Sequence, residues 1–117
     1  MREIKCRAWD KELKRMITVK LFSRVMPENW GEFYEVMQFI GWHDKKIVEI
    51  YEGDILNFKL NTKYGYIKMT GVVRCEDLAS GCFVQFLPLG IEAIPFDFNI
   101  IEPEVIGNIY ENPELLK

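Results

Sequence analysis

Histidine is nearly missing from this chain of 117 residues, with His43 the only one. A metal centre built from several imidazoles is thereby excluded, and the side chain that most often serves as a base near neutral pH is scarce. Cysteine is sparse too. The three thiols, Cys6, Cys75 and Cys82, have no CxxC spacing that would mark zinc, and their odd number argues against a disulfide framework. That reading places the chain in a reducing compartment and predicts a cytoplasmic protein. No stretch approaches the ~20 continuous apolar residues of a membrane span. The opening Met1-Arg2-Glu3-Ile4-Lys5 has no apolar core, so a secretory signal is not expected. Gly-x-Gly-x-x-Gly, the phosphate-cradling Gly-x-x-x-x-Gly-Lys-Ser/Thr and the Gly-x-Ser-x-Gly elbow are all missing. Internal repeats and low-complexity segments are missing as well.

What is present is ordinary globular material, with 49% apolar, 14% aromatic and 28% charged residues. These proportions exclude collagen-like and wholly disordered chains, and the length fits one domain or two very small lobes. The net charge of −3 makes the whole molecule no electrostatic match for nucleic acid, but the charge is segregated. Residues 1–20 are basic and residues 91–117 acidic, which predicts that the two ends face each other in the fold.

Period-two alternation dominates. Ile4, Cys6 and Ala8 alternate with Lys5, Arg7 and Trp9, and Ile17, Val19 and Leu21 alternate with Thr18 and Lys20, so residues 3–9 and 16–22 are expected to pair as an antiparallel hairpin. Residues 29–41 carry mixed signals. Trp30, Phe33, Tyr34 and Met37 have helical spacing behind an Asn29/Glu32 capping pair, whereas Val36 to Ile40 suits a strand ending at Gly41; a helical turn or two running into a strand is expected. From residue 47 onward, strands are expected at 47–51, 54–60, 66–76, 82–87, 93–100 and 104–110. Gly71 sits on the same strand face as Met69 and Val73, where a bend or close backbone approach is expected. The fold class that follows is mainly β, with an SH3-like barrel at 47–112, an N-terminal hairpin lobe at 1–46, at most one short helix, and a fading tail at 113–117 beginning with Pro113.

Few residues offer chemistry. His43, between Trp42 and Asp44-Lys45-Lys46, reads as an exposed turn residue that could bind or sense pH. Glu49, Glu52 and Asp54 could form a carboxylate cluster for a divalent ion, although Tyr51-Glu52-Gly53-Asp54-Ile55 is more economically a turn launching a strand. Trp9 lies beside Lys5 and Arg7 on the polar face of its strand, a combination that could stack a nucleobase or simply cover the rim of the barrel. Trp30, Trp42, Tyr51, Tyr64, Tyr66 and Tyr110 are further aromatic candidates for a peptide groove, although most are expected in the core.

Three ordered stretches carry a resemblance. Arg2-Glu3-Ile4-Lys5-Cys6-Arg7-Ala8-Trp9-Asp10, then Met37-Gln38-Phe39-Ile40-Gly41 leading to Glu49-Ile50-Tyr51-Glu52-Gly53-Asp54-Ile55, and finally 105–116 from Val105-Ile106-Gly107-Asn108 onward are similar to the YopX family. The chain departs from the family pattern at Cys6, where an aromatic is usual, at Ile40, where threonine is common, and at Ile47, where a glycine often follows the turn. The resemblance implies a mainly β fold and a phage or prophage protein expressed inside a bacterial host. It supplies no catalytic residues and no cofactor.

The expected function is therefore a non-catalytic binding module with a protein partner, using Lys5, Arg7, Trp9, Trp42, His43 and Tyr51. An alternative is a nucleic-acid-binding protein using the basic strand around Lys5, Arg7, Trp9 and Lys11. A metal-dependent enzyme built on Glu49, Glu52 and Asp54 ranks last. No cofactor, catalytic residue, metal ligand or membrane contact is expected, and homo-oligomerisation stays open because β-rich lobes expose edges.

Overall fold

The computed structural model describes residues 4–21, 30–75, 81–87, 92–97 and 99–116. Nine strands form two antiparallel sheets. The first has the order β2-β1-β3-β4, from β1 (Ile4–Asp10), β2 (Arg15–Leu21), β3 (Tyr34–His43) and β4 (Glu49–Tyr51). The second has the order β8-β7-β6-β5-β9, from β5 (Asp54–Thr62), β6 (Gly65–Cys75), β7 (Cys82–Phe86), β8 (Ala93–Pro95) and β9 (Ile100–Asn108).

The N-terminal hairpin pairs Ile4 with Leu21 through Asp10 with Arg15, as the alternation predicts. Its loop is shaped by Asp10, whose Oδ1 accepts the N–H groups of Glu12 at 3.0 Å and Leu13 at 2.9 Å. Residues 30–41 also follow the expected path. One helical turn, α1 (Trp30–Phe33), passes directly into β3, although β3 runs beyond Gly41 to His43. The helical spacing of Tyr34 and Met37 is coincidental, since both lie in the strand. Asn29 lies outside the described residues.

The second sheet is curled into a half barrel and stays open, with β8 and β9 as its edges. Its concave side holds the core of Leu56, Phe58, Val73, Val84 and Ile100, and Ile50 of β4 completes that cluster. The first sheet thus closes the mouth of the second, with Ile40 packed on the cluster and Trp42 edge-on to Phe96 at 5.2 Å. Each fully buried branched side chain contributes roughly 1.5–3 kcal/mol, so these contacts hold the two sheets together. Gly71 makes the expected close approach: a Cβ there would lie 2.4 Å from Val84 Cγ1 and 2.8 Å from the Gln85 carbonyl oxygen. Only glycine lets β6 and β7 close at that point.

Several expectations need correction. Residues 47–51 were assigned to the barrel, but Glu49–Tyr51 pairs with β3 in the first sheet, because Phe39 and His43 lie opposite Tyr51 and Glu49. The expected strand 93–100 is two pieces: β8 stops at Pro95, and β9 begins at Ile100 and continues through Pro103. A register irregularity between Asn57 and Lys59, with Glu102 at a φ of 50°, accommodates this. The tail does not fade at Pro113, which starts a 3-10 turn (Pro113–Leu116) anchored where Asn112 Oδ1 accepts the N–H of Asn108 at 3.2 Å. Cys75 and Cys82, expected as free thiols, form a disulfide; antiparallel register sets them opposite each other with Cα atoms 4.1 Å apart. Cys6 is the free, buried thiol that makes the count odd, and burial pushes its pKa up. No helix among the described residues is long and apolar enough to cross a membrane.

Candidate functional site

Two surfaces combine basic and aromatic residues. The first is the strand that the sequence reading favours. Arg7 Nη2 donates to Asp54 Oδ1 at 2.6 Å, and its guanidinium lies over the Tyr51 ring, 4.8 Å from the centroid. The other Asp54 oxygen accepts the Tyr51 N–H at 2.8 Å. Burial pushes the Asp54 carboxyl up from its ordinary range, against the pull of Arg7 and that N–H. Lys5 pairs with Glu49, which also accepts the Tyr51 hydroxyl at 3.3 Å. The Lys5 hydrogen bond holds the Glu49 carboxyl below its usual range. Trp9 is only 9% exposed and stacks on Tyr110 with ring centroids 5.8 Å apart.

Lys5, Arg7, Trp9 and Tyr51 therefore come together, with Arg7 and Trp9 between the two sheets and Lys5 half-exposed on the first sheet, over Phe39 and beside Glu49. At Arg7 and Trp9 the polar face of β1 is covered by the second sheet and its C-terminal turn, and so is not free to stack a base. Gly53 makes this closure possible. It has a φ of 88°, its N–H donates to the Val73 carbonyl at 2.8 Å, and a Cβ would sit 3.2 Å from Met37 Sδ. Trp42 and His43 go elsewhere. Trp42 packs on Phe96, while His43 is exposed at the end of β3, edge-on to Phe39 at 5.5 Å. The carboxylates of Glu49 and Asp54 are committed to Lys5 and Arg7, and no group of three or more His, Cys, Asp or Glu among the described residues is arranged to hold a metal.

The C-terminal turn does meet β1, through Tyr110 on Trp9, but among the described residues no ion pair joins the basic N-terminal stretch to the acidic C-terminal one. Lys5, Arg7 and Lys11 pair with Glu49, Asp54 and Glu35, while Glu102 pairs with Lys59 and Glu104 with Lys45 and Lys46. Asp44, read as one polar turn residue among several, is buried and central. It accepts the N–H groups of Lys46 at 2.8 Å, Val48 at 2.9 Å and, across to β9, Val105 at 3.0 Å. Burial works against its charge, but these donors and the Lys46 ammonium outweigh it and hold the carboxyl below the ordinary range.

The second surface carries two of the aromatic candidates, Tyr64 and Tyr66, beside basic residues that the sequence reading did not group with them. Residues 55–75 carry Lys59, Lys63, Lys68 and Arg74 and no acidic residue. They form the β5–β6 hairpin, whose outer face carries Asn57, Lys59 and Asn61 opposite Thr70, Lys68 and Tyr66. Tyr64 at the turn is 88% exposed and Tyr66 is 65% exposed. The Lys63 ammonium lies 5.2 Å from the centroid of the Tyr64 ring. Lys59 is held by Glu102 at 3.2 Å, whereas Lys68 makes no ion pair among the described residues. Beside them runs an open groove of about 520 Å³ lined by Lys45, Asn57, Lys59, Lys68, Thr70 and Glu104 among others. The signal available in the sequence is the acid-free run with its two tyrosines. The grouping is missed because the same residues also read as strand and turn formers.

A small two-sheet β protein, with an ion-paired seam and one exposed cationic hairpin, is the class these features define. The chain belongs to the YopX family: the family model described as YopX protein matches residues 23–117. It is similar to a solved structure, that of protein EF1440 from Enterococcus faecalis, with 32% sequence identity and a TM-score of 0.62. That alignment covers 97% of this chain and 98% of the other. No curated protein gives a significant match.

Proposed function

We propose that this YopX-family protein is a non-catalytic binding module and that the outer face of the β5–β6 hairpin is its contact surface. The single observation that carries this reading is the distribution of unsatisfied groups. The charges and rings of the inter-sheet seam are paired or stacked within the molecule, with the buried Arg7 Nε the one side-chain donor left without a partner among the described residues, whereas Tyr64, Tyr66 and Lys68 extend into solvent. Large aromatic side chains placed together at a hairpin tip, next to a cation with no ion pair among the described residues, gain from a partner what the fold does not give them. A role inside a phage-bearing bacterial host extends the same proposal through the family's usual setting.

The test is comparative capture from bacterial lysate. Wild type and the Tyr66→Ser/Lys68→Gln variant are used side by side, with nuclease-treated and untreated samples. A species retained by wild type and lost from the folded variant supports the reading. Identical retention by both would place the contact elsewhere and overturn it.

A further inference from the structure

We propose that the outer face of the β5–β6 hairpin binds single-stranded nucleic acid; this rests on the binding-module reading above and names its ligand. The chain as a whole is acidic, so the sign of this surface is set locally. Lys59 and Lys68 stand directly opposite each other across the two strands. Like charges in that position destabilise a sheet, and the fold relieves only one of them, through Glu102. Such a pair attracts a polyanion whose phosphates neutralise both ammonium groups and release counterions.

Charge alone would suit any anion; the aromatics narrow the choice. Tyr66 shares the lysines' face, one step along β6 from Lys68, and Tyr64 with Lys63 extends the surface around the turn. Exposed rings alternating with cations on a sheet are the arrangement on which unpaired bases stack while the backbone tracks the positive groove. Asn57, Asn61 and Thr70 lie along the same face; the Thr70 hydroxyl donates to Asn57 Oδ1 at 2.7 Å, which leaves the Asn57 NH2 and the Asn61 amide for base edges or sugars. The groove past Lys59 and Lys68 toward Lys45 gives the strand a path across the sheet; Glu102 and Glu104 line it too, paired with Lys59 and with Lys45 and Lys46, so Lys68 is the ammonium most open to a phosphate. A duplex hides its base faces and could not use the tyrosines. An acidic protein could use the lysines but would leave the rings without their stacking partners.

The experiment is fluorescence anisotropy of a labelled oligothymidylate of about 20 nucleotides, a length that exceeds a single site. The full chain is titrated at several salt concentrations. Wild type is expected to bind at low salt, with log affinity falling against log salt at a slope of about −2, from about three phosphate contacts. Tyr66→Ser and Lys68→Gln are each expected to weaken binding roughly tenfold without changing the thermal midpoint by more than a few degrees. Lys14→Gln, on the distant β1–β2 loop, is the control and should bind as wild type does. Absence of binding at low salt, equal weakening by Lys14→Gln, or equal affinity for a blunt duplex of the same length would each overturn the proposal. If the oligonucleotide is not bound but the hairpin variant loses a captured protein, the ligand is wrong and the binding module stands. If the hairpin variants change neither readout, both fall.

Discussion

Two stretches of this chain mix lysine or arginine with aromatic rings, and the fold treats them in opposite ways. On β1, Lys5, Arg7 and Trp9 each meet a matched partner in Glu49, Asp54 and Tyr110, and Arg7 and Trp9 lie in the seam between the sheets. On the β5–β6 hairpin, Lys63 and Lys68 make no ion pair among the described residues, and Tyr64 and Tyr66 remain exposed beside them. Composition does not separate the two cases. What separates them is register: the turn at Gly53 aims two carboxylates and a tyrosine at β1, whereas the strands flanking the hairpin offer Lys59 only Glu102.

The comparison breaks most visibly at Arg7. Removing one partner of a buried pair leaves the other charged and unsolvated, so Arg7→Ala and Asp54→Ala should each cost about 3–5 kcal/mol. Urea unfolding of both variants measures this. The double replacement Arg7→Met/Asp54→Leu should recover most of the loss, since it leaves no orphaned charge. A cost below about 1 kcal/mol for Arg7→Ala is what a surface pair gives, and would return β1 to the list of exposed binding strands.

Asp44 sharpens the contrast from the same side of the molecule. Asp44→Asn replaces one accepting oxygen with an amide that faces backbone N–H groups, and should cost about 1–3 kcal/mol at neutral pH. The acid dependence follows from its lowered pKa and that of Glu49. Carboxyls held below their unfolded values contribute stability that is present above the ordinary carboxylate range and lost as pH falls through it. The raised Asp54 works in the opposite direction over the same range and partly offsets them. Thermal midpoints of wild type should therefore drop on acidification, and Asp44→Asn should drop less steeply. Parallel curves would show that Asp44 is not one of the groups responsible.

Most of the fold was legible from period-two alternation, because half-buried strands leave that signature whatever they pair with. The path through 30–43, the close approach at Gly71 and the first hairpin all follow from it. What could not be read was which strands share a sheet. Residues 49–51 carry no mark that joins them to β3 in preference to β5. The disulfide was hidden for the same reason, since Cys75 and Cys82 become neighbours only through the β6–β7 register. For the candidate site, facing is what the sequence leaves open. A basic-aromatic face reads equally as a binding strand or as a covered rim until the second sheet is in place, and Trp9, buried against Tyr110, takes the covering alternative.

Ile47 offers a smaller test. It is exposed and has a φ of 66°, a backbone conformation that branched side chains adopt at a cost. Ile47→Gly should raise stability by about 1 kcal/mol by releasing that strain. A loss of stability instead would show that the Ile47 side chain has a packing role.

The smallest effect is the one that bears most directly on the hairpin. Lys68→Glu would set a carboxylate opposite Lys59 in place of a like charge, a cross-strand change worth roughly 0.2–1 kcal/mol in the stabilising direction. The same change places a negative charge in the centre of the proposed nucleic-acid surface, where it should abolish binding to oligothymidylate. Stability and binding would then move in opposite directions on one substitution. A surface kept only for solubility gives no reason for that opposition, since either sign of charge serves. Denaturant midpoints and anisotropy on the same preparation decide it, and a variant that is both less stable and still bound would remove the hairpin from consideration.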